Sequence, residues 1–155
     1  MAVNTRDTLG PLVAAECLQQ MRLHFEDLAG RGPVLGAGRL RGAGLIESLG
    51  EAGSNPSDDV AKKLLADALG IDGTRLCIVT EFSSNDKDEY VVKLVEGACS
   101  FEQDTDTAMC AYTLGVFIGA IGALNGHTMT GKETECQAAG DDTCTYRIKR
   151  HLAMD

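Results

Sequence analysis

The chain is short of positive charge: Lys and Arg total 14 against 23 Asp and Glu, a net charge of −9 over 155 residues. Such a field repels phosphate backbones and anionic membrane surfaces, so direct nucleic-acid binding is not expected. A leader is also lacking. Met1-Ala-Val-Asn-Thr-Arg-Asp7 has no charged-then-apolar pattern and no small-residue cleavage site, which predicts a cytoplasmic location. No transmembrane segment is expected either, because the longest uncharged stretch, 107–131, holds only about 17 convincingly apolar residues and reads as a buried helix. His24, His127 and His151 are scattered and form no Ser/His/Asp or Cys/His arrangement, so the chain reads as a binder rather than a catalyst. Internal repeats and low-complexity tracts are missing as well.

What is present suits one domain over 9–150, with tails at 1–8 and 151–155. A chain of this length buries roughly two thirds of its unfolded surface without cross-links. Cys17, Met21, Phe25 and Leu28 recur at helical spacing after Pro11 and before Gly30, predicting an amphipathic helix over 9–29. A second helix runs from Pro33 to Leu49. Gly36, Gly38, Gly42 and Gly44 each weaken it by up to about 1 kcal/mol relative to Ala, so its small residues are expected to admit another backbone. After a Gly/Ser/Asn/Pro loop, Asn55 is expected to cap, and Pro56 to begin, a short helix ending at Leu69.

Alternation over 76–82 and 90–95 across a polar turn at 84–88 predicts a β-hairpin. Asp104 or Asp106 then caps the apolar helix, and strands at 132–138 and 144–150, joined by 139–143, form a second hairpin. Blocks of helices and hairpins in this order predict an α+β fold, with an antiparallel sheet of about four strands packed on helices.

Six cysteines in a reducing compartment point to packing, metal or redox chemistry. A hairpin centred on Gly140 puts Cys136 opposite Cys144, with Cβ atoms about 4.5–5.5 Å apart. Cys110, in the first turns of the apolar helix, supplies a third thiolate, and Glu133 or Glu135 completes a tetrahedral shell suited to zinc. The three-residue step from Glu133 to Cys136 requires a bulge or a strand start, because a regular strand would put the two on opposite faces. Spacing alone leaves open a disulfide between Cys136 and Cys144, or simply buried thiols.

Two nucleotide signatures fail. Gly126-His-Thr-Met-Thr-Gly131-Lys132 resembles a phosphate loop, but Glu133 stands where Ser or Thr should hold Mg²⁺. Gly36-Ala-Gly38 begins a dinucleotide fingerprint that breaks at Arg41.

The run Glu133-Thr-Glu-Cys-Gln-Ala-Ala-Gly-Asp-Asp-Thr-Cys-Thr-Tyr-Arg-Ile148 resembles the C-terminal signature of the vinyl-4-reductase domain family. That signature is a carboxylate, Cys, two or three residues, Gly-Asp, Cys, then an aromatic and an apolar residue. Gly38-Arg-Leu-Arg-Gly42 and Cys110-Ala-Tyr-Thr-Leu-Gly115 extend the resemblance over most of the chain from about residue 10. It implies a zinc site of Cys110, Glu133, Cys136 and Cys144, with Glu133 chosen over Glu135 and the ion structural. Cys17, Cys77 and Cys99 are left as packing residues.

The family is similar in fold to the TRAPP vesicle-tethering subunits, which implies an apolar channel and a homodimer through the N-terminal helices. The implied function is a stand-alone binding domain for a hydrophobic small molecule: an aromatic, a hydrocarbon or a tetrapyrrole. The absence of Trp argues against phenol-like sensing. Tyr112, Phe117, Ile118, Ile121 and His127 are the candidate pocket residues. Tetrapyrrole vinyl reduction and a dimeric adaptor role are the alternatives.

Overall fold

The computed structural model describes residues 6–152; the rest of the two expected tails, 1–5 and 153–155, lies outside the described residues. Four helices and a four-stranded sheet follow in the expected order. They are α1 (Ala15–Ala29), α2 (Arg31–Ser48), α3 (Asp58–Leu69), β1 (Ile78–Ser84), β2 (Glu89–Val95), α4 (Ala111–Asn125), β3 (Met129–Glu135) and β4 (Cys144–Arg150). A single 3₁₀ turn at Gln137–Ala139 lies between the last two strands. Every neighbouring pair in the sheet is antiparallel, in the order β1-β2-β4-β3, so the second hairpin joins the first through β4 rather than β3.

The core forms where α4 meets the inner face of the sheet. Val92 and Leu94 of β2, Cys144, Tyr146 and Ile148 of β4 and Met129 of β3 are buried there, while Lys93, Arg147 and Lys149 alternate outward. Ten of the residues in α4 are buried, because α2 covers the side turned away from the sheet. No helix among the described residues is long and apolar enough to cross a membrane.

The glycines of α2 admit a backbone from the same chain. A Cβ on Gly38 would lie 2.1 Å from the Tyr112 carbonyl oxygen, and one on Gly42 would lie 1.9 Å from that of Val116. The contact is mutual, since a Cβ on Gly115 would meet the Leu35 carbonyl at 2.2 Å and one on Gly119 the Arg39 carbonyl at 2.0 Å. Both helices present bare backbone at the crossing. Gly36 and Gly44, by contrast, face open space.

Three boundaries differ from the sequence expectation. Helix α1 begins at Ala15 rather than residue 9, because Pro11 disfavours helical backbone in Gly10, which turns at φ +69°. Helix α3 begins at Asp58, since Asn55, at φ +45°, gives its N–H to the Leu124 carbonyl instead of capping. Helix α4 is preceded at its N-cap by Cys110, so neither Asp104 nor Asp106 caps it.

A larger correction concerns which face of α1 is buried. Met21, Phe25 and Leu28 are 56 %, 52 % and 68 % exposed, and Cys17 is exposed too, so it is not a packing residue. The residues turned inward are Gln19 and Arg22, at 4 % and 2 % exposed. The segment beneath α1 presents backbone carbonyl oxygens, which require donors rather than methyl groups.

The crossing predicts the effect of two substitutions. Gly42→Val destabilises the fold by about 3 kcal/mol in urea titration, since backbone cannot yield to the new side chain. Gly36→Ala, in open space within the same helix, stabilises it by about 0.5–1 kcal/mol. Equal effects at the two positions would contradict the backbone contact.

Candidate metal centre

Strand β3 solves the face problem with a bulge. Glu133 pairs with Tyr146 and Glu135 with Thr145, so Thr134 is the extra residue and the side-chain phase shifts between them. Glu133 therefore turns inward, its side chain only 1 % exposed. Glu135 turns outward and accepts a hydrogen bond from the Thr145 hydroxyl. Continuing the register past Glu135 brings Cys136 across from Cys144, as expected of a hairpin centred on Gly140.

The ends of the two strands are then tied by a short loop. Cys136 donates its N–H to the Asp141 carboxylate at 2.8 Å, and its carbonyl accepts from the N–H groups of Ala139 and Asp141. Gly140, at φ +96°, turns the chain where a side chain would be strained. Gln137 donates its N–H to the Cys144 sulfur at 3.3 Å, a contact that favours a thiolate.

Cys110 arrives from the start of α4. Its sulfur lies 3.9 Å from that of Cys136 and 3.8 Å from that of Cys144, and its N–H donates to Glu133 Oε2 at 2.9 Å. Ligand atoms from Cys110, Glu133, Cys136 and Cys144 all lie within 4.8 Å of one another, so the cluster could hold a metal ion. A tetrahedron with metal–sulfur bonds of about 2.3 Å has edges of about 3.8 Å, which is the sulfur spacing observed. All six cysteines are free, and these separations are far beyond a disulfide bond.

The electrostatics of the cluster are those of a site built for a cation. Burial pushes the Glu133 carboxyl up to about 7, and its Oε1 has no hydrogen-bond partner among the described residues. Arg31, half-exposed on α2, lies 3.7 Å from Oε2. Hydrogen bonds given to Cys136 and Cys144 drive the Cys110 thiol far above its ordinary value. The bond received from Cys110 pulls Cys136 down to about 5. Three thiols and a carboxyl in one pocket cannot all ionise without a positive charge among them.

Two neighbours of the cluster were invisible in the sequence. Cys99, expected only to pack, is buried beside it; a bond from Cys110 pulls its thiol down to about 6, and Thr113 Oγ1 donates to its sulfur at 3.1 Å. Its position in a loop gave no spacing signal. Tyr146, across from Glu133, is buried with its hydroxyl unpaired among the described residues. Its place in the Cys-Thr-Tyr run was the available signal.

The candidate pocket residues are not brought together. Ile121 lines a cleft of about 570 Å³ with Asp58, Phe82, Tyr90, Leu124 and Asn125, where the Asn125 amide donates to the Tyr90 hydroxyl at 2.7 Å. Phe117 and Ile118 are fully buried, with the Phe117 ring 5.8 Å from that of Tyr146. Tyr112 is half-buried within electrostatic reach of Arg41, and His127 is half-buried in the turn after α4. Cys110 and Leu124 stand at opposite ends of α4, about 20 Å apart at 1.5 Å per residue.

Comparison with known proteins agrees with this arrangement. Residues 95–150 match the vinyl-4-reductase domain family, a span that contains all four clustered residues. No curated protein matches the chain significantly. Among solved structures, the phenol-responsive sensory domain of the transcription activator PoxR, determined with phenol, superposes with a TM-score of 0.71 at 21 % identity. It covers 90 % of this chain and 76 % of that one. A vinyl-4-reductase family protein from Methanocaldococcus jannaschii gives 0.62 at 12 % identity, covering 93 % and 85 %. A trafficking protein particle complex subunit 3 from Naegleria fowleri, covalently bound to palmitic acid, gives 0.56 at 18 % identity, covering 91 % and 97 %. Residues 95–150 thus belong to the vinyl-4-reductase domain family, and the chain around them has the α+β fold shared by these three structures.

Proposed function

We propose that this protein is a small-molecule-binding domain of the vinyl-4-reductase type that works by binding a hydrophobic ligand, with zinc as a structural ion. The observation that carries the binding role is the cleft at the end of α4. Its volume falls within the range of small-molecule sites, and its walls combine apolar groups with one polar pair. Phe82, Ile121 and Leu124 offer apolar contact, while Tyr90 and Asn125 offer a hydrogen bond to one hydroxyl or carbonyl. Phe117, one turn back along α4, extends the apolar path toward Tyr146. An aromatic ring or a hydrocarbon chain with one polar end suits such walls.

Zinc is the metal best matched to three thiolates and one carboxylate at tetrahedral spacing. Bound there it supplies positive charge and four bonds, and with four protein ligands it has no open position for chemistry. Cys110 would hold the start of α4, Glu133 the bulge of β3, and Cys136 and Cys144 the ends of the last hairpin. The ion would therefore lock one end of α4 while the ligand occupies the other.

A second reading rests on α1. Its outward row of Met21, Phe25 and Leu28 supports self-association, in which a second copy covers the apolar stripe. The glycines proposed for that contact from the sequence are in part spent inside the chain, since Gly38 and Gly42 face α4.

Two measurements test these readings. Protein purified under reducing conditions carries one zinc per chain by native mass spectrometry, and Cys136→Ser carries none. Because the thiols must lose protons to bind, zinc affinity falls by about tenfold or more from pH 8 to pH 6. Metal-free wild-type protein after such purification refutes the site. For the cleft, phenol, palmitic acid and protoporphyrin IX are screened by thermal shift. A true ligand at about a hundred times its Kd stabilises the fold by about 2.7 kcal/mol, and Ile121→Trp, which fills the cleft, abolishes the shift. A shift that survives Ile121→Trp places the ligand elsewhere.

A further inference from the structure

Arg22 is a charged side chain at the inner face of α1, and its guanidinium is fully engaged. Nε and Nη2 donate to Gln19 Oε1 at 3.1 and 2.6 Å, and Nη2 also to the Cys99 carbonyl at 3.2 Å. Nη1 donates to Glu26 Oε1 at 2.9 Å and to the Met109 carbonyl at 3.2 Å. Gln19 adds bonds to the carbonyls of Cys99 and Phe101 at 2.8 and 3.1 Å. Together they form a buried polar clasp between α1 and the two ends of the 99–109 segment. A fork of planar donors suits this task, and an ammonium on a flexible stem does not reproduce it.

The clasp ends on the metal cluster. Met109 and Cys110 share one peptide unit, whose oxygen accepts from Arg22 and whose N–H donates to Glu133 Oε2 at 2.9 Å. That peptide is therefore held at one edge by α1 and at the other by a candidate metal ligand. Arg31, at the start of α2, adds a bond to the Ala108 carbonyl at 2.7 Å and approaches the same Glu133 oxygen at 3.7 Å. The hold on α1 is otherwise thin, because its apolar residues Met21, Phe25 and Leu28 face outward.

We propose that metal binding and the seating of α1 are linked through the Met109–Cys110 peptide, with Arg22 as the positioning residue between them. An ion on Cys110 and Glu133 fixes that peptide and gives Arg22 a rigid target. Without the ion the peptide loosens, and with it the inner face of α1, so the outward apolar row loses its fixed position. This inference rests on the reading of the cluster as a metal site and adds a path by which the site's occupancy reaches a surface.

Hydrogen exchange of the full wild-type chain with zinc and after treatment with EDTA tests the link without any substitution. Removal of zinc is expected to speed exchange of the α1 amides at least about tenfold while α3, remote from the clasp, is unchanged. In parallel, zinc affinity is measured by competition with a chromophoric chelator. Arg22→Met is expected to weaken it by roughly 10- to 100-fold, the usual effect of removing a group that orients a metal ligand, and Arg22→Lys by less. Equal α1 exchange in the two states overturns the proposal, as does an Arg22→Met protein that folds and binds zinc as tightly as wild type. If Arg22→Met does not fold, the wild-type exchange decides alone. A wild-type chain that takes up no zinc overturns the metal reading and this proposal together, an outcome distinguished by its appearance in the unsubstituted protein.

Discussion

The backbone of α2 lies directly against the backbone of α4, and nearly every functional feature takes its place from that contact. Gly38 and Gly42 on one helix and Gly115 and Gly119 on the other leave no room for even a methyl group between them. Apolar side chains alone would hold two helices 8–10 Å apart, so the removal of Cβ atoms brings α4 in closer. Covered on one side by α2, α4 turns its other residues into the sheet and becomes the central element of the fold. Its two ends then carry the two candidate sites: the cysteine and carboxylate cluster at Cys110, and the cleft at Ile121, Leu124 and Asn125.

The cluster draws on three separate segments, and each is shaped locally to deliver its ligands. The bulge at Thr134 turns Glu133 inward, the Asp141 carboxylate anchors the hairpin loop on the Cys136 N–H, and Cys110 occupies the N-cap of α4. Burying three thiols and a carboxyl together raises the energy of every fully ionised arrangement, as the displaced acidities of Glu133 and Cys110 express. A cation at the centre would convert that mutual repulsion into attraction. Such a cluster suits a structural clamp better than a reaction centre, because all four ligand positions come from the protein.

Polar burial also governs α1. In most surface helices the apolar stripe faces the core, but here the groups beneath the helix are carbonyl oxygens of the 99–109 segment. An unsatisfied buried carbonyl costs more than an exposed Leu, so the helix rolls to present Gln19 and Arg22 and leaves Met21, Phe25 and Leu28 in solvent. The result is a helix with a polar inner seam and an apolar outer one.

Short-range patterns made much of this legible in advance. The element types and their order followed from periodicity and turn residues, and so did the stops at Gly30 and Gly70 and the need for a bulge between Glu133 and Cys136. The metal-ligand set followed from cysteine spacing joined to the family signature, and the cluster is assembled from those four residues. The starts of α1, α3 and α4, the rolled face of α1, the position of Cys99 and the site of the cleft were not legible. Each is decided by partners distant in the chain: Gln19 meets Cys99 across 80 residues, and Asn125 meets Tyr90 across 35. The sequence by itself determined which local structures form and which side chains have metal-binding chemistry, because both depend on neighbouring residues. Only the tertiary structure decided which faces are buried, because burial depends on whether the surface opposite offers methyl groups or unpaired carbonyls.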